Sequence, residues 1–435
     1  MLPTNAFFRY GLRRGYDTPI RLLMDSGSNH TKKRFCLFLI ASMLCHCMIM
    51  ADVTVSKSAI NSIFLTHFSS EGYPYVWGCS LPLNFFVLFL YNRFLKRVGC
   101  FRLFASTVFL TLCLHICLAL RVRQEPWLAF IAYMWKDIYV LLLFHQLWAV
   151  IHSTIGERKA RYLYGIFFGL GSIGGVAGGV LVRVLAVPVG SEGLLFVSIP
   201  FFGIMVLSYY FVIRFSGKEG GAVSALGEVK RGDLAGFGLI ARSRHLRLIL
   251  VSVIFMQLAV TIMDYLFNRF LETTFPDQDL RTRFCGKMWP CVEAAAFILQ
   301  FFATFLLVRL LGMERSRLLL PLAVISDAII CLIFPGCTVF SYAFGAVKVL
   351  DYSLFQVMKE YAYVRLTEEE KFRARSVIDV FAYRAAKGIA AATVALLGFL
   401  SYRFLTVAVL LIGLLWFRST YRLTYEVRDV REKNV

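Results

Sequence analysis

Charged residues set inside long apolar runs are the part of this chain that could do chemistry. Lys57 follows an apolar run that begins near residue 35, and Asp264 interrupts the run QLAVTIMDYLFNRFLE. Lys348 and Asp351 stand three apart, Lys359 and Glu360 are adjacent, and Arg384 and Lys387 are again three apart. A charge within hydrocarbon costs about 2.5–3.5 kcal/mol on insertion scales, so such a residue marks a partner, a wet cavity or a solute path. Helical residues three apart share a face, so Lys348 can pair with Asp351 and Arg384 can act beside Lys387. Arginine offers bidentate contacts to phosphate and lysine offers a point charge. Several such cations converging on one cavity suit a polyanionic solute, with Asp264 expected to pair with a cation while the path is empty.

Other constellations are weaker. Lys136 and Asp137 are adjacent in an apolar context, and Asp327 is a second buried-acid candidate. His145 and His152 are seven apart, two turns along one helical face, where imidazoles could relay protons. Cys45-His46-Cys47 has metal-ligating residue types, but adjacent helical positions point in different directions, which favours packing. Gly169 to Gly174 spells G-x-G-x-x-G without the preceding strand that dinucleotide binding requires. Gly171, Gly175 and Gly179 are four apart instead, the spacing that lets helix backbones approach. No Walker A motif and no nucleophile–base or metal constellation is present, so neither an enzyme nor a cofactor is expected. Residues 270–290 read as an outer loop with Pro276 and Gly286 as turn formers, flanked by Cys285 and Cys291, where a disulfide is an open alternative.

The elements that must position these residues follow from composition. The chain has 435 residues, 58% hydrophobic and only 17% charged, where a soluble protein carries about 25% charge. Its apolar residues gather in runs of about 20, long enough to cross a bilayer as helices. Lipid offers no partner for backbone N–H and C=O, so the spans must be helical. Twelve spans are expected near 35–56, 75–95, 101–120, 127–151, 162–187, 192–214, 246–268, 290–311, 317–335, 338–361, 377–400 and 401–418. They divide into a basic tail (1–34), a six-helix half (35–214), a Gly- and charge-rich linker (215–245), a second six-helix half (246–418) and a tail (419–435). This all-α layout is that of major-facilitator carriers, which bind substrate at the midplane between halves.

The net charge of +20 would suit a nucleic-acid partner, but most of the 47 Lys and Arg fall in segments on one side of the expected membrane. That is the positive-inside pattern, so both termini are expected in the cytoplasm and no nucleic-acid partner is needed. Residues 1–34 are polar and basic, as suits a cytoplasmic tail rather than a cleavable signal.

The segment LDYSLFQVMKEYAYVRLTEEEKFRARSVIDVFAYRAAKG (350–388) resembles the ATP/ADP translocases of plastids and obligate intracellular bacteria. Tyr352, Ser353, Leu354, Phe355, Lys359, Glu360, Ala362, Tyr363, Ile378 and Asp379 carry the likeness. Phe275, Pro276, Asp277, Phe284 and Gly286 match a second family segment, and Ala160, Arg161, Tyr162 and Phe168 to Gly171 a third. The resemblance implies nucleotide exchange across a membrane, with four charged positions that here are Lys57, Gln146, Asp264 and Lys359. Both cations persist, one glutamate is shortened to Asp264, and another is neutralised to Gln146. Where the family has a lysine four residues after Asp264, this chain has Asn268. Arg384 and Lys387 complete the expected substrate-binding set.

The expectation is therefore an alternating-access nucleotide transporter, ATP/ADP exchange in type, in a bacterial inner membrane. The alternatives are a proton-coupled carrier of another phosphorylated or organic anion, with His145, His152 or Asp264 as relay, and a non-transporting receptor on the same scaffold.

Overall fold

The computed structural model describes residues 29–155, 157–216, 238–241, 243–300, 304–363, 378 and 382–432. Among these residues there is no strand, and twelve long helical segments follow one another. They are α1 (Asn29–Phe68), α2 (Tyr73–Val98), α3 (Cys100–Arg121), α4 (Trp127–Thr154), α5 (Glu157–Val189), α6 (Ser191–Ser216), α7 (Arg244–Thr274), α8 (Gln278–Ile298), α9 (Thr304–Ile333), α10, α11 (Tyr383–Leu397) and α12 (Tyr402–Glu432). Helix α10 is made of three pieces: α-helical Cys337–Leu350, a π-helical turn Asp351–Phe355, and α-helical Gln356–Tyr363.

The packing repeats. Within the first six helices α1 contacts α4, α5 and α6, α3 contacts α4 and α6, and α2 contacts α4. Adding six to each number gives α7 with α10, α11 and α12, α9 with α10 and α12, and α8 with α10, all of which also occur. Sets of neighbours this alike in two consecutive groups of helices mark an internal structural repeat, although no short sequence repeat is visible. Across the two groups, α2 packs on α11 and α5 packs on α8, again counterparts under the same shift. Arg34 at the start of α1 donates to the carbonyls of Phe215 and Arg214 at the end of α6 (3.2 and 3.1 Å). The start of α1 and the end of α6 therefore share one end of the bundle.

Nine helices among the described residues are long and apolar enough to cross a membrane: α1 to α7, α9 and α12. Several boundaries depart from the sequence expectation, α1 beginning at Asn29 and α12 running on to Glu432 among them. The first span continues eleven residues past Lys57 to Phe68. Its polar residues bond back along the helix, Ser58 to Thr54 O (2.8 Å) and Ser62 to Ser58 O (3.1 Å). They are also buried against other helices rather than lipid. The eighth helix begins at Gln278, so the expected outer loop at 270–290 is mostly helix. Asp277 caps it by accepting from the backbone N–H groups of Asp279 and Leu280 (2.9 and 2.8 Å). Pro276 does sit in the short turn before it, but Gly286 does not turn. A Cβ there would come within 2.6 Å of the Arg183 backbone nitrogen, so this glycine lets α8 approach α5. Cys285 and Cys291 are both free and six positions apart on the same helix, which no disulfide spans.

The glycines of α5 behave as their spacing implies. Cβ atoms at Gly174 and Gly178 would lie 2.1 Å from Cys47 O and 2.4 Å from Ala51 O, backbone atoms of α1. Gly179 meets Pro290 and Gly175 meets Glu293 on α8. Helix α5 is thus wedged between the central helix of its own half and the facing helix of the other.

Candidate functional site

A cavity of about 420 Å³ lies between the two groups of helices. Lys57, Thr54 and His46 of α1, Phe144 and Trp148 of α4, Gly171 and Ser172 of α5, Trp289 and Glu293 of α8, and Tyr352 and Gln356 of α10 line it. On α1 it runs from Lys57 back toward the end of the bundle where that helix starts. The walls are aromatic, with charge at one level.

That level holds a cluster from six helices. Lys57 interacts electrostatically with Lys348, Asp264, Lys136 and Asp137. Glu293 interacts with Lys57 and Lys348. Lys348 in turn interacts with Asp351 and Tyr383. The lysines rest on rings: Lys57 Nζ lies 3.4 Å from the centroid of Trp289, Lys136 Nζ 3.4 Å from that of Tyr133, and Lys348 Nζ 5.4 Å from that of Tyr352. No carboxylate oxygen among the described residues lies within 4 Å of any of these three nitrogens. A ring face stabilises an ammonium by about 0.5–2 kcal/mol, which a phosphate can displace. Lys387 is different: its Nζ is 3.0 Å from Asp137 Oδ2, an ion pair joining α11 to α4 across the halves.

The expected residues are sorted by this geometry. Lys57 and Asp264 come together, with Lys387 linked through Asp137. Asp264 does not pair with a cation at hydrogen-bond range; its Oδ1 accepts from Asn268 Nδ2 (2.9 Å), because amide and not lysine stands one turn on. Lys348 and Asp351 interact by charge without the expected direct pair, as Asp351 accepts weakly from Gln257 (3.5 Å). Arg384 stacks on Phe85 of α2 at 5.3 Å. Gln146 is 1% exposed, outside the cavity lining, and neither of its amide atoms has a hydrogen-bond partner among the described residues. Lys359 interacts with Asp351 and does not line the cavity. The side chain of Glu360, Asp379 and the loop at 367–376 lie outside what the structure describes. His145 and His152 are exposed and do not themselves line the cavity; His145 packs beside Tyr91 and His152 beside the lining residue Trp148. Asp327 is buried on α9 with Oδ2 unpartnered among the described residues.

Sequence reasoning passed over Glu293 and Trp289. Glu293 was visible as a lone acid in the apolar run that follows Pro290. It also passed over Asp52, a carboxylate in the middle of the first span. His46 lines the cavity edge-on to Phe144 (5.2 Å), while Cys45 turns away to Met205, as adjacent helical positions must.

The other end of the bundle is closed between the halves. Asn61 of α1 donates to Asn268 of α7 (2.7 Å), and the Tyr73 hydroxyl donates to Asn61 Oδ1 (2.7 Å). Glu272 accepts from the Ser70 backbone N–H (2.7 Å), Arg281 donates to Thr66 Oγ1, and Asp279 accepts from the Ser191 hydroxyl (2.6 Å).

Comparison with solved structures agrees with this architecture. The nucleoside transporter NupG (D323A mutant) aligns over 89% of this chain and 98% of its own at 12% identity, with a TM-score of 0.61. A bacterial homologue of the iron transporter ferroportin, solved inward-facing, aligns over 89% and 98% at 13% identity, TM-score 0.63. A bacterial homologue of the human lysosomal transporter Spinster, inward-facing and unoccupied, covers 92% and 98% at 11% identity, TM-score 0.61. The fold is that of the major-facilitator transporters. At these identities the likeness concerns the fold alone. No family profile and no curated protein sequence matches the chain.

Proposed function

We propose that the chain is an alternating-access membrane carrier for a polyanionic solute bearing an aromatic ring, a nucleotide in an ATP/ADP-type exchange. The observation that carries this reading is Lys57 in the cavity wall with Lys136 and Lys348 in the charge cluster beside it: each ammonium lies over an aromatic ring, and none has a carboxylate at ion-pair distance among the described residues. Each can turn from its ring to a phosphate without breaking a salt bridge. Trp289, Tyr352, Phe144 and Trp148 provide the flat apolar walls that suit a heterocyclic base. Glu293, Asp264 and Asp137 balance the lysines in the empty site, so loading replaces internal acid–base attraction with substrate. The hydrogen-bonded far end and the cavity extending toward the opposite end fit one state of a rocking carrier. Under this reading the positive-inside pattern puts the cavity end on the cytoplasmic side.

The test is uptake of radiolabelled ATP into liposomes containing the purified chain, with and without ATP or ADP inside. Uptake that follows the internal pool and fails in Lys57→Ala supports exchange. Uptake that ignores the internal pool but collapses with a protonophore supports the second reading, a proton-coupled anion carrier, to which the acids beside Lys57 lend weight. Absence of uptake and of any ATP effect on thermal stability would retire the nucleotide reading.

A further inference from the structure

A second polar site lies inside the first group of helices, on the side of α1 turned away from the cavity. Asp52 is 0% exposed. Ser56 Oγ donates to its Oδ1 at 3.0 Å and the Tyr139 hydroxyl of α4 donates to its Oδ2 at 2.9 Å. Ser198 of α6 lies 3.4 Å from Ser56 Oγ and helps hold the carboxylate. No cation among the described residues lies within ion-pair distance of Asp52. Its hydrogen-bonding neighbours are hydroxyls on α1, α4 and α6, and on the α5 side Gly174 and Gly178 pack against the α1 backbone at Cys47 and Ala51. The titratable groups nearby are Tyr139 itself and His115 of α3, whose ring lies edge-on to Tyr139 at 6.0 Å. His115 is 1% exposed, and both its nitrogens lack a hydrogen-bond partner among the described residues.

A structural carboxylate in a helical bundle is ordinarily matched by a cation. This one has none, and an imidazole with two unused nitrogens stands beyond its tyrosine. Small hydroxyl groups can donate to a carboxylate or accept from a carboxylic acid without moving, so the cage tolerates either charge state. Asp52 is also tied to the cavity through α1. Lys57 is five residues on, about 7.5 Å along the helix axis.

We propose that Asp52 is a proton-binding site whose occupancy is linked to anion binding in the cavity. The proton adds to one carboxylate oxygen, taken from water on one side and returned to water on the other, and no other bond changes. Ionised Asp52 opposes an anion at Lys57; protonated Asp52 does not. For charges about 10 Å apart at an effective dielectric of about 20, the difference is about tenfold in affinity per unit of substrate charge. Linkage makes the effect reciprocal, so a bound anion favours the proton. The inference rests on the anionic reading of the cavity for its coupling, but not for the proton site itself.

Two measurements on the full chain in lipid nanodiscs separate those parts. Infrared difference spectra between acid and alkaline pH, without substrate, should show a carboxylic-acid carbonyl band in wild type that Asp52→Asn lacks. ATP affinity measured across the same pH range should tighten about tenfold or more on acidification in wild type and stay nearly flat in Asp52→Asn. Identical carbonyl bands in the two proteins would overturn the proton site. A normal band difference with the same pH dependence of ATP binding in both would overturn the linkage. Failure of ATP to bind at any pH would count against the nucleotide reading while the infrared result still decides the proton site. If Asp52→Asn does not fold, Tyr139→Phe removes one donor to the same oxygen; its band midpoint should move, and an unmoved midpoint would sink the assignment.

Discussion

Two polar regions cross between the halves, and they are built on opposite rules. At the far end Asn61, Asn268, Tyr73, Glu272, Arg281 and Asp279 each find a hydrogen-bond partner, largely on another helix. At and beside the cavity Lys57, Lys136 and Lys348 lean on Trp289, Tyr133 and Tyr352, and no carboxylate among the described residues pairs with them directly. Satisfied polar groups lock helices together because opening them strands donors and acceptors in a medium without water. Cations parked on rings hold their place weakly and retain capacity for a ligand. Under the proposed function the same residue types make a gate in one place and a binding site in the other.

The contrast can be broken most severely where both regions share a support. Gly178→Leu would drive a side chain into Ala51 O, backbone that cannot yield, and should cost more than about 3 kcal/mol, seen as loss of a cooperative melt. A wild-type melt would mean α1 and α5 are not packed as described. Next in size is Lys57→Ala, which removes a charge-assisted contact of about 1.5–3 kcal/mol and should weaken ATP binding roughly ten- to 150-fold. Lys348→Ala should follow it closely and Lys359→Ala should fall well short, since only Lys348 belongs to the charge cluster around Lys57. Equal losses at 348 and 359 would move the site along α10.

Smaller effects sharpen the gate. Asn268→Ala removes the α1–α7 bond and a ligand of Asp264. One interhelical bond within a membrane is worth about 0.6 kcal/mol and at most about 1.7, so the closed end should open a few-fold more often. Thiol labelling of the buried Cys285, read by mass spectrometry, should speed up accordingly. Unchanged labelling would mean the far end is held by something else. The smallest change is expected from Asp137→Asn. Its pair with Lys387 is partly exposed to the space between halves, so stability should fall by less than about 1 kcal/mol. A larger drop would make this ion pair part of the lock.

Legibility followed hydropathy. Helices facing lipid, such as α3 and α6, were readable because lipid demands an apolar surface. The three helices that fall short of a membrane-crossing criterion among the described residues are α8, α10 and α11. Helix α8 is long enough but carries Asp279, Arg281, Arg283, Lys287 and Glu293, whereas the π-helical turn leaves α10 in α-helical pieces of 14 and 8 residues. The start of α8 read as a loop because its Arg281 and Asp279 find partners in Thr66 and Ser191, more than 80 residues away in sequence.

By itself the sequence determined an all-helical bundle in lipid and a glycine-rich α5 suited to close packing. Each of these depends on composition or on spacing along one helix. Tertiary structure alone decided which charges meet. Lys348 joins Lys57 while Lys359 stays on the far side of Asp351, Gln146 packs outside the cavity, and Asp52 turns into its own bundle. Residues a few positions apart on a helix point to different neighbours, and which neighbour is present depends on how helices pack between the halves.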